Sequence, residues 1–168
     1  MQRLARSCAL FALSACVHAG TGTTTRAIPT PSVQVGSCAT PTRDGVISAQ
    51  PKLERSDRDL DGDGTAEVIV VDRAMCGGDG NCYWNVFTSP HSAGECARYA
   101  GTFAAAALEP LASKGDDNMN DVRGYWNLHG GRMLLQSYRF VRGGYQIVDV
   151  LLCKRATDDR LDCADGDR

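Results

Sequence analysis

One acidic, glycine-containing segment constrains the fold of this chain more than any other feature. Residues 59–67 carry acids at alternate positions and run directly into the β-branched stretch 68–71. Calcium takes about 6–8 oxygen ligands, which loops of this kind supply from alternate positions. Gly64 permits the sharp turn that brings those oxygens together, because glycine reaches positive φ at little cost. The segment therefore predicts a Ca²⁺ site whose ligands are Asp59, Asp61, Asp63, the backbone carbonyl of Thr65, and Glu67.

This loop does not fit an EF-hand. An EF-hand needs a bidentate Glu at its twelfth position and a helix after it. The twelfth position here is Val70, and its β-branched neighbours predict a strand instead. The predicted unit is therefore a calcium loop that opens a strand. The alternative is an ordinary Asp/Gly turn between two strands, which rarely needs so many spaced acids.

Residues 59–71 resemble the calcium-loop-and-strand unit of FG-GAP or VCBS repeats, the blade units of integrin-type β-propellers. The likeness covers only this segment, and the sequence holds no second good copy. Because a propeller needs several blades, the resemblance implies the loop and the strand but not the propeller. The glycine-rich segment between Cys76 and Cys82 is also similar to one in small secreted bacterial proteins with a single such loop. That second resemblance implies no activity.

The first residues have the anatomy of a bacterial export signal. Arg3 and Arg6 give a positive start, and residues 8–15 form an apolar stretch too short to span a bilayer. The motif Leu13-Ser14-Ala15-Cys16 resembles a lipobox, in which cleavage before the cysteine leaves Cys16 carrying the lipid. We therefore predict a lipoprotein signal peptide over 1–15 and lipidation at Cys16. The alternative is an ordinary signal peptide cut near Ala19.

Residues 16–37 are rich in Thr, Gly, Ser and Pro. Such a stretch buries too little apolar surface to fold, so it predicts a disordered tether from Cys16 to a folded domain over 38–168. Val17 stands where an aspartate would mark retention in the inner membrane. For a Gram-negative source, the resemblance then implies the outer membrane. The expected location is extracytoplasmic, lipid-anchored in the bacterial cell envelope.

The chain has eight cysteines, and six remain once Cys8 is removed with the signal and Cys16 is lipidated. An even number in an exported chain implies disulfides, and six cysteines allow 15 pairings. A zinc site is the alternative, but the close C-x₂₋₄-C pairs that zinc prefers are absent. Short sequence separation favours the disulfides Cys76–Cys82 and Cys153–Cys163. The two cysteines that remain would then form Cys38–Cys96.

Short apolar runs separated by turn residues predict an all-β, mainly antiparallel domain. The strongest strand is 67–72, expected to be covered on both faces because it is apolar almost throughout. Residues 104–112 predict either a strand or one short helix, since the alanine run favours helix and Pro110 interrupts one. The tail from Asp158 is expected to be loose except at Cys163. The other predicted strands are 46–53, 83–88, 97–103, 124–129, 132–140 and 145–153.

The net charge of −2 gives no basic field, so nucleic acid is not an expected partner. Asp116, Asp117 and Asp121 are a candidate carboxylate group for hydrolysis, although an Asx-rich turn is the favoured interpretation. Tyr83 and Trp126 are expected to fill the core or a sheet face rather than to line a groove.

The expected function is that of a membrane-anchored, calcium-binding extracytoplasmic domain, and the non-enzymatic interpretation is favoured over a catalytic one. Such a domain would be a structural or interaction module whose partner is an envelope protein or a glycan. The alternative is a secreted hydrolase or an inhibitor of one.

Overall fold

The computed structural model describes residues 30–90, 92, 94–156 and 160–165, so the predicted signal peptide and Cys16 lie outside the described residues. The described chain is an all-β antiparallel domain, as predicted. Its helical segments are two 3₁₀ turns, Arg73–Met75 and Asp116–Asn118, and neither has the length or apolarity to cross a bilayer. The strands are β1 Ser32–Val35, β2 Cys38–Pro41, β3 Leu53–Arg55, β4 Val68–Asp72, β5 Cys82–Thr88, β6 Arg98–Ala105, β7 Ala107–Lys114, β8 Asn120–Leu128, β9 Arg132–Val141, β10 Gly144–Arg155 and β11 Leu161–Asp165.

These strands form two larger sheets and one hairpin. The four-stranded sheet has the order β3-β4-β5-β6, the five-stranded sheet has the order β11-β10-β9-β8-β7, and β1 pairs with β2. β6 ends at Ala105 and β7 begins at Ala107, so the chain changes sheets through Ala106. The Ala106 N–H donates to the Tyr125 carbonyl at 2.7 Å, which fixes this corner on β8.

The main core lies between the two larger sheets. Phe103 is at its centre, with ring centroids 4.8 Å from those of both Tyr138 and Tyr145. Burial of such large apolar side chains is the main favourable term in folding, at roughly 25 cal/mol per Å² removed from water. The buried members of this core are Leu60, Ile69, Val71, Cys82, Trp84, Val86, Ala100, Phe103, Ala105, Met119, Val122, Tyr138, Phe140 and Tyr145.

A second apolar layer covers the other face of the four-stranded sheet. Val33 and Val35 of β1 pack with Phe87 and with the alternate residues of β4. All five residues of β4 are consequently buried, which confirms the prediction that this strand is covered on both faces. Because β1 lies within the range 16–37 predicted as a tether, the ordered domain begins before Cys38. The reason is the alternation of Val33 and Val35, which gives this short strand one apolar face.

The strands predicted at 83–88, 97–103, 132–140 and 145–153 are present, and they form two hairpins, β5 with β6 and β9 with β10. Two other predictions are wrong, and one open alternative is decided. Residues 46–52 are not a strand, because the buried Asp72 carboxylate accepts the N–H groups of Ser48 and Lys52, each at 2.8 Å, and folds this segment over the end of β4. The helix alternative for 104–112 fails because β7 pairs with β8. Residues 161–165 of the tail are not loose, because they form β11, which pairs with residues 151–155 of β10.

All three predicted disulfides are present. The Cα atoms are 5.7 Å apart in Cys38–Cys96, 4.3 Å in Cys76–Cys82 and 4.0 Å in Cys153–Cys163. The first joins β2 to the start of β6, the second closes the glycine-rich loop before β5, and the third joins β10 to β11. Disulfides persist in oxidising compartments, so they indicate an extracytoplasmic location.

Candidate metal centre

The acidic loop before β4 is built from carboxylates that accept the loop's own N–H groups. Asp59 accepts the N–H of Gly62 at 2.7 Å and that of Gly64 at 3.0 Å, one on each oxygen. Asp61 accepts the N–H of Asp63 at 2.9 Å. Both glycines have positive φ, +82° and +88°, which bends the chain around these acids. The alternation of Asp and Gly read from the sequence therefore produces a compact loop.

Three of the predicted ligands come together in this loop. Carboxylate oxygens of Asp59, Asp61 and Glu67 all lie within 4.8 Å of one another. The group runs from the surface inward, since Asp59 is exposed, Asp61 is half-buried and Glu67 is only 2% exposed. An antiparallel bridge between Arg58 and Glu67 brings the two ends of the loop together. The group can hold a metal ion, and its all-oxygen donor set suits a hard cation such as Ca²⁺.

Glu67 sets the electrostatics of the group. Burial raises the pKa of its carboxyl, and the nearby charge of Asp61 acts in the same direction. The Leu60 N–H donates to Glu67 Oε2 at 2.8 Å and lowers the pKa, but it does not cancel the effect of burial. A buried carboxylate beside another acid is costly unless a positive charge offsets it. A bound cation supplies that charge, so the residues fit one.

The other two predicted ligands lie outside the three-carboxylate group. Asp63 is exposed, and its Oδ1 accepts the Thr65 N–H at 2.6 Å. Thr65 is exposed as well. Asp63 therefore shapes the turn in this structure.

A second segment, which the sequence did not associate with the loop, borders the same site. The β7–β8 connection, residues 115–119, places Asp117 on the wall of a cavity of about 40 Å³ that Asp61 and Glu67 also line. Asn118 of the same turn donates its side-chain amide to the Asp61 carbonyl at 2.7 Å. Both residues adopt left-handed backbone, with φ of 51° and 61°. The consecutive Asp and Asn could have indicated this left-handed turn in the sequence, because Asp and Asn tolerate the conformation better than other residues with a side chain.

The candidate hydrolytic carboxylates do not converge. Asp121 is buried and forms an ion pair with Arg139, whose Nη2 lies 2.8 Å from Oδ2. This guanidinium, helped by the Ser113 hydroxyl, lowers the pKa of Asp121. Asp116 instead accepts the Arg142 N–H at 2.9 Å, and Asp117 borders the metal loop. The three acids thus have three separate environments.

Several apolar side chains are exposed along β10. Ile147, Val150 and Leu152 are 53%, 39% and 39% exposed. They lie opposite Tyr138, Gln136 and Leu134 of β9, on the face that elsewhere carries the main core. We call these three residues the β10 strip. β11 pairs only with residues 151–155, so among the described strands none pairs with the outer edge of β10 at 146–150.

The aromatic residues of β5 and β8 divide between core and surface. Trp84 is buried, with its indole N–H donating to the Ala105 carbonyl at 3.0 Å. Tyr83 is 36% exposed and packs against Trp126 with ring centroids 5.6 Å apart. These two rings contact each other across the two larger sheets.

Comparison of the chain with protein-family models, curated proteins and solved structures finds no match. The resemblance of residues 59–71 to FG-GAP or VCBS units therefore stays an expectation from the sequence.

Proposed function

We propose that this chain is an extracytoplasmic β domain that binds one calcium ion through Asp59, Asp61 and Glu67. The observation that carries the proposal is the approach of three carboxylates within 4.8 Å at the start of a fully buried strand. A bound ion would offset their mutual repulsion and hold the loop against β4. Its role would be structural, because β4 is covered on both faces and belongs to both apolar layers. Asp63 and the Thr65 carbonyl are the further oxygen donors that this loop would offer.

Calcium fits this loop better than magnesium or zinc. The acidic side chains offer oxygen alone, whereas zinc favours nitrogen and sulfur ligands. Magnesium demands a tight octahedral shell and keeps its waters, whereas calcium accepts a flexible set of protein oxygens. Extracellular calcium modules bind with a Kd of about 10⁻⁴–10⁻³ M, which is the range we expect here.

Thermal unfolding with and without calcium tests the proposal. A tenfold excess over Kd stabilises a protein that binds only when folded by about 1.4 kcal/mol, so the Tm should rise. Magnesium at the same concentration should have a much smaller effect. Asp61→Asn should remove the calcium response, because it removes the charge but keeps an oxygen for the Asp63 N–H. Asp57→Asn is the matched control, since Asp57 instead pairs with Arg55. Identical melting of the wild-type protein in chelator and in several millimolar calcium would refute the calcium site.

We further propose that lipid at Cys16 anchors the domain in the bacterial envelope. The lipobox-like residues 13–16 and the polar stretch that follows support this anchor. Cys16→Ser should leave the precursor unlipidated and move the protein out of the membrane fraction. Continued uptake of labelled fatty acid by the variant would rule the anchor out.

The β10 strip supports a role as an interaction module of the envelope. Exposed apolar surface of this kind marks contact sites more often than isolated exposed residues do. The partner would be an envelope protein or a glycan. A photo-crosslinker placed at Val150 in native envelope should capture a discrete partner, whereas one placed at Leu53, which is 44% exposed on β3, should not. Equal capture from both positions would count against the strip.

A further inference from the structure

The disulfide Cys76–Cys82 closes the shortest loop of the three disulfides. Its sequence separation is 6, against 10 and 58 for the other two. Because the stabilisation from a cross-link grows with the length of the loop that it closes, this disulfide should contribute least to the fold. The loop also has a hydrogen bond of its own, from the Gly77 N–H to the Asn81 carbonyl at 2.7 Å. The loop therefore has order that does not depend on its disulfide.

Asn81 holds the end of this loop on β8. Its side-chain amide donates to the Asn127 carbonyl at 2.8 Å, and its Oδ1 accepts the Asn127 N–H at 2.8 Å. Asn127 in turn donates its side-chain amide to the Asp79 carbonyl at 2.9 Å. Asn81 is buried and directly precedes Cys82. These hydrogen bonds keep Cys82 in place when its bond to Cys76 opens.

The two sulfur atoms of this disulfide have different surroundings. Cys76 is half-buried and is followed by two exposed glycines, Gly77 and Gly78. A Cβ added at Gly78 would meet nothing within 4 Å, so the loop beside Cys76 is open to solvent. Cys82, by contrast, is 0% exposed. A thiol in solution therefore reaches the sulfur of Cys76 more readily than that of Cys82.

A guanidinium lies beside the buried sulfur. Arg73 Nη1 donates to Cys82 Sγ at 3.6 Å. The other two nitrogens of Arg73, Nε and Nη2, donate to the Glu54 carboxylate at 2.7 and 2.8 Å. The guanidinium also lies over the Trp84 ring, 5.4 Å from its centre. Glu54 and Trp84 thus position Arg73 with its third nitrogen toward the sulfur. A positive charge at this point stabilises a thiolate on Cys82 and makes that sulfur the better leaving group.

We propose that Cys76–Cys82 is a thiol–disulfide exchange site that accepts two electrons from a protein dithiol. One thiolate of the dithiol attacks Cys76 Sγ, forms a mixed disulfide there and displaces Cys82 as a thiolate beside Arg73. The second thiolate of the dithiol then attacks the first and displaces Cys76. The dithiol becomes a disulfide and releases two protons to solvent, while Cys76 and Cys82 each take up one proton and become thiols. This inference does not depend on the calcium site.

Limited reduction of the folded wild-type protein, followed by alkylation and peptide mapping, tests the site. Dithiothreitol, a small dithiol, should free the thiols of Cys76 and Cys82 before those of the other two disulfides. Reduced glutathione, a monothiol, should form its mixed disulfide on Cys76, because the attacking sulfur stays on the more accessible cysteine. Earlier reduction of another disulfide, or a glutathione adduct on Cys82, would overturn the proposal.

Arg73→Gln tests the role of the guanidinium. Loss of the charge should slow reduction of Cys76–Cys82 about threefold or more, because the departing thiolate loses its stabilising cation. A general loosening of the fold has the opposite effect, since it speeds reduction of this disulfide and of the others. Arg73→Lys, which keeps the charge, should retain part of the rate. Arg55→Gln is the matched control, because Arg55 also pairs with a nearby acid, Asp57, and its loss should leave the rate unchanged. Reduction of Arg73→Gln at the rate of Arg55→Gln or faster would show that Arg73 does not assist the exchange.

Discussion

Asp121 is nearly inaccessible to solvent, yet both oxygens of its carboxylate accept hydrogen bonds. Arg139 and the Ser113 hydroxyl both donate to it, and together they hold its pKa below the usual range despite burial. A carboxyl whose pKa is lower in the folded state than in the unfolded state adds stability above its unfolded pKa, about 3.9. That contribution is lost as the pH falls through the folded pKa. Asp121 should therefore make the domain sensitive to acid.

Asp121→Asn should lower the free energy of unfolding at pH 7 by about 1–3 kcal/mol, because it replaces charge-assisted hydrogen bonds with weaker ones. The loss should shrink as the pH falls below about 3.9, because the unfolded-state carboxyl becomes protonated first, and it should disappear below the lowered pKa of the folded state. Urea unfolding at pH 7 and pH 3 measures both values. Asp57→Asn is the control, since its exposed ion pair with Arg55 should contribute at most about 1 kcal/mol. A loss for Asp121→Asn that does not depend on pH would contradict this account.

Glu67 gives a second prediction at the level of one residue. Burial raises its pKa, so without a cation its charged form is less favourable in the folded protein than in the unfolded chain. Glu67→Gln keeps an oxygen for the Leu60 N–H and removes that charge. In chelator the variant should melt at or above the wild-type Tm, and it should lose the calcium-induced stabilisation of about 1–3 kcal/mol. Differential scanning calorimetry in chelator and in calcium checks both. A full calcium response in the variant would exclude Glu67 as a ligand.

Among the elements, β11 depends most on a covalent link. It pairs with β10 over only five residues, and Cys153–Cys163 joins the two strands directly. Replacing both cysteines with alanine should speed hydrogen exchange of the β10 amides at 151–155 before global unfolding begins. Loop-closure entropy predicts a loss of about 3 kcal/mol for this bridge and about 4 kcal/mol for Cys38–Cys96, which closes a longer loop. If exchange at 151–155 changes no more than exchange elsewhere, β11 is held by its backbone pairing alone.

Elements with a strong local pattern could be predicted from the sequence. β4 was evident because its apolar run follows a turn, and the β9–β10 hairpin because Gly143 marks its turn. Local patterns failed where a distant partner decides the conformation. Asp72 accepts N–H groups from residues 20 and 24 positions earlier in the chain and so prevents residues 46–52 from forming a strand. Residues 32–35 become a strand because the four-stranded sheet offers Val33 and Val35 an apolar face.

The residues of the candidate site also separate into those that could be predicted from local sequence and those that could not. Asp59, Asp61 and Glu67 were predictable because their spacing within one loop brings them together. Asp117 and Asn118 were not, because Asn118 lies 57 residues after Asp61 and the two segments meet only when the two larger sheets pack together. Their alternation of Asp and Asn indicated a turn, but nothing local indicated which loop the turn would contact.

At the scale of the whole molecule, the close approach of the two larger sheets limits which residues fit between them. Gly124 of β8 lies beneath β6, where an added Cβ would stand 3.2 Å from the Ala104 carbonyl oxygen, the Ala105 Cβ and the Tyr138 ring. Two of these atoms belong to the backbone or lie next to it, so they cannot turn aside as the end of a flexible side chain can. A side chain at this position must therefore push the sheets apart.

Gly124→Ala should destabilise the domain by about 1–3 kcal/mol, the usual cost of forcing an extra carbon into a packed core. Alanine also reduces the conformational entropy of the unfolded chain, but this stabilisation of about 0.4–1 kcal/mol is too small to offset the cost of overpacking. Gly78→Ala is the matched control, because a Cβ there meets nothing within 4 Å and its backbone does not require glycine. Urea unfolding should thus show a lower midpoint for Gly124→Ala and an unchanged or slightly higher one for Gly78→Ala. Equal midpoints for the two variants would mean that β6 and β8 can separate by a few tenths of an ångström without loss of packing elsewhere in the core.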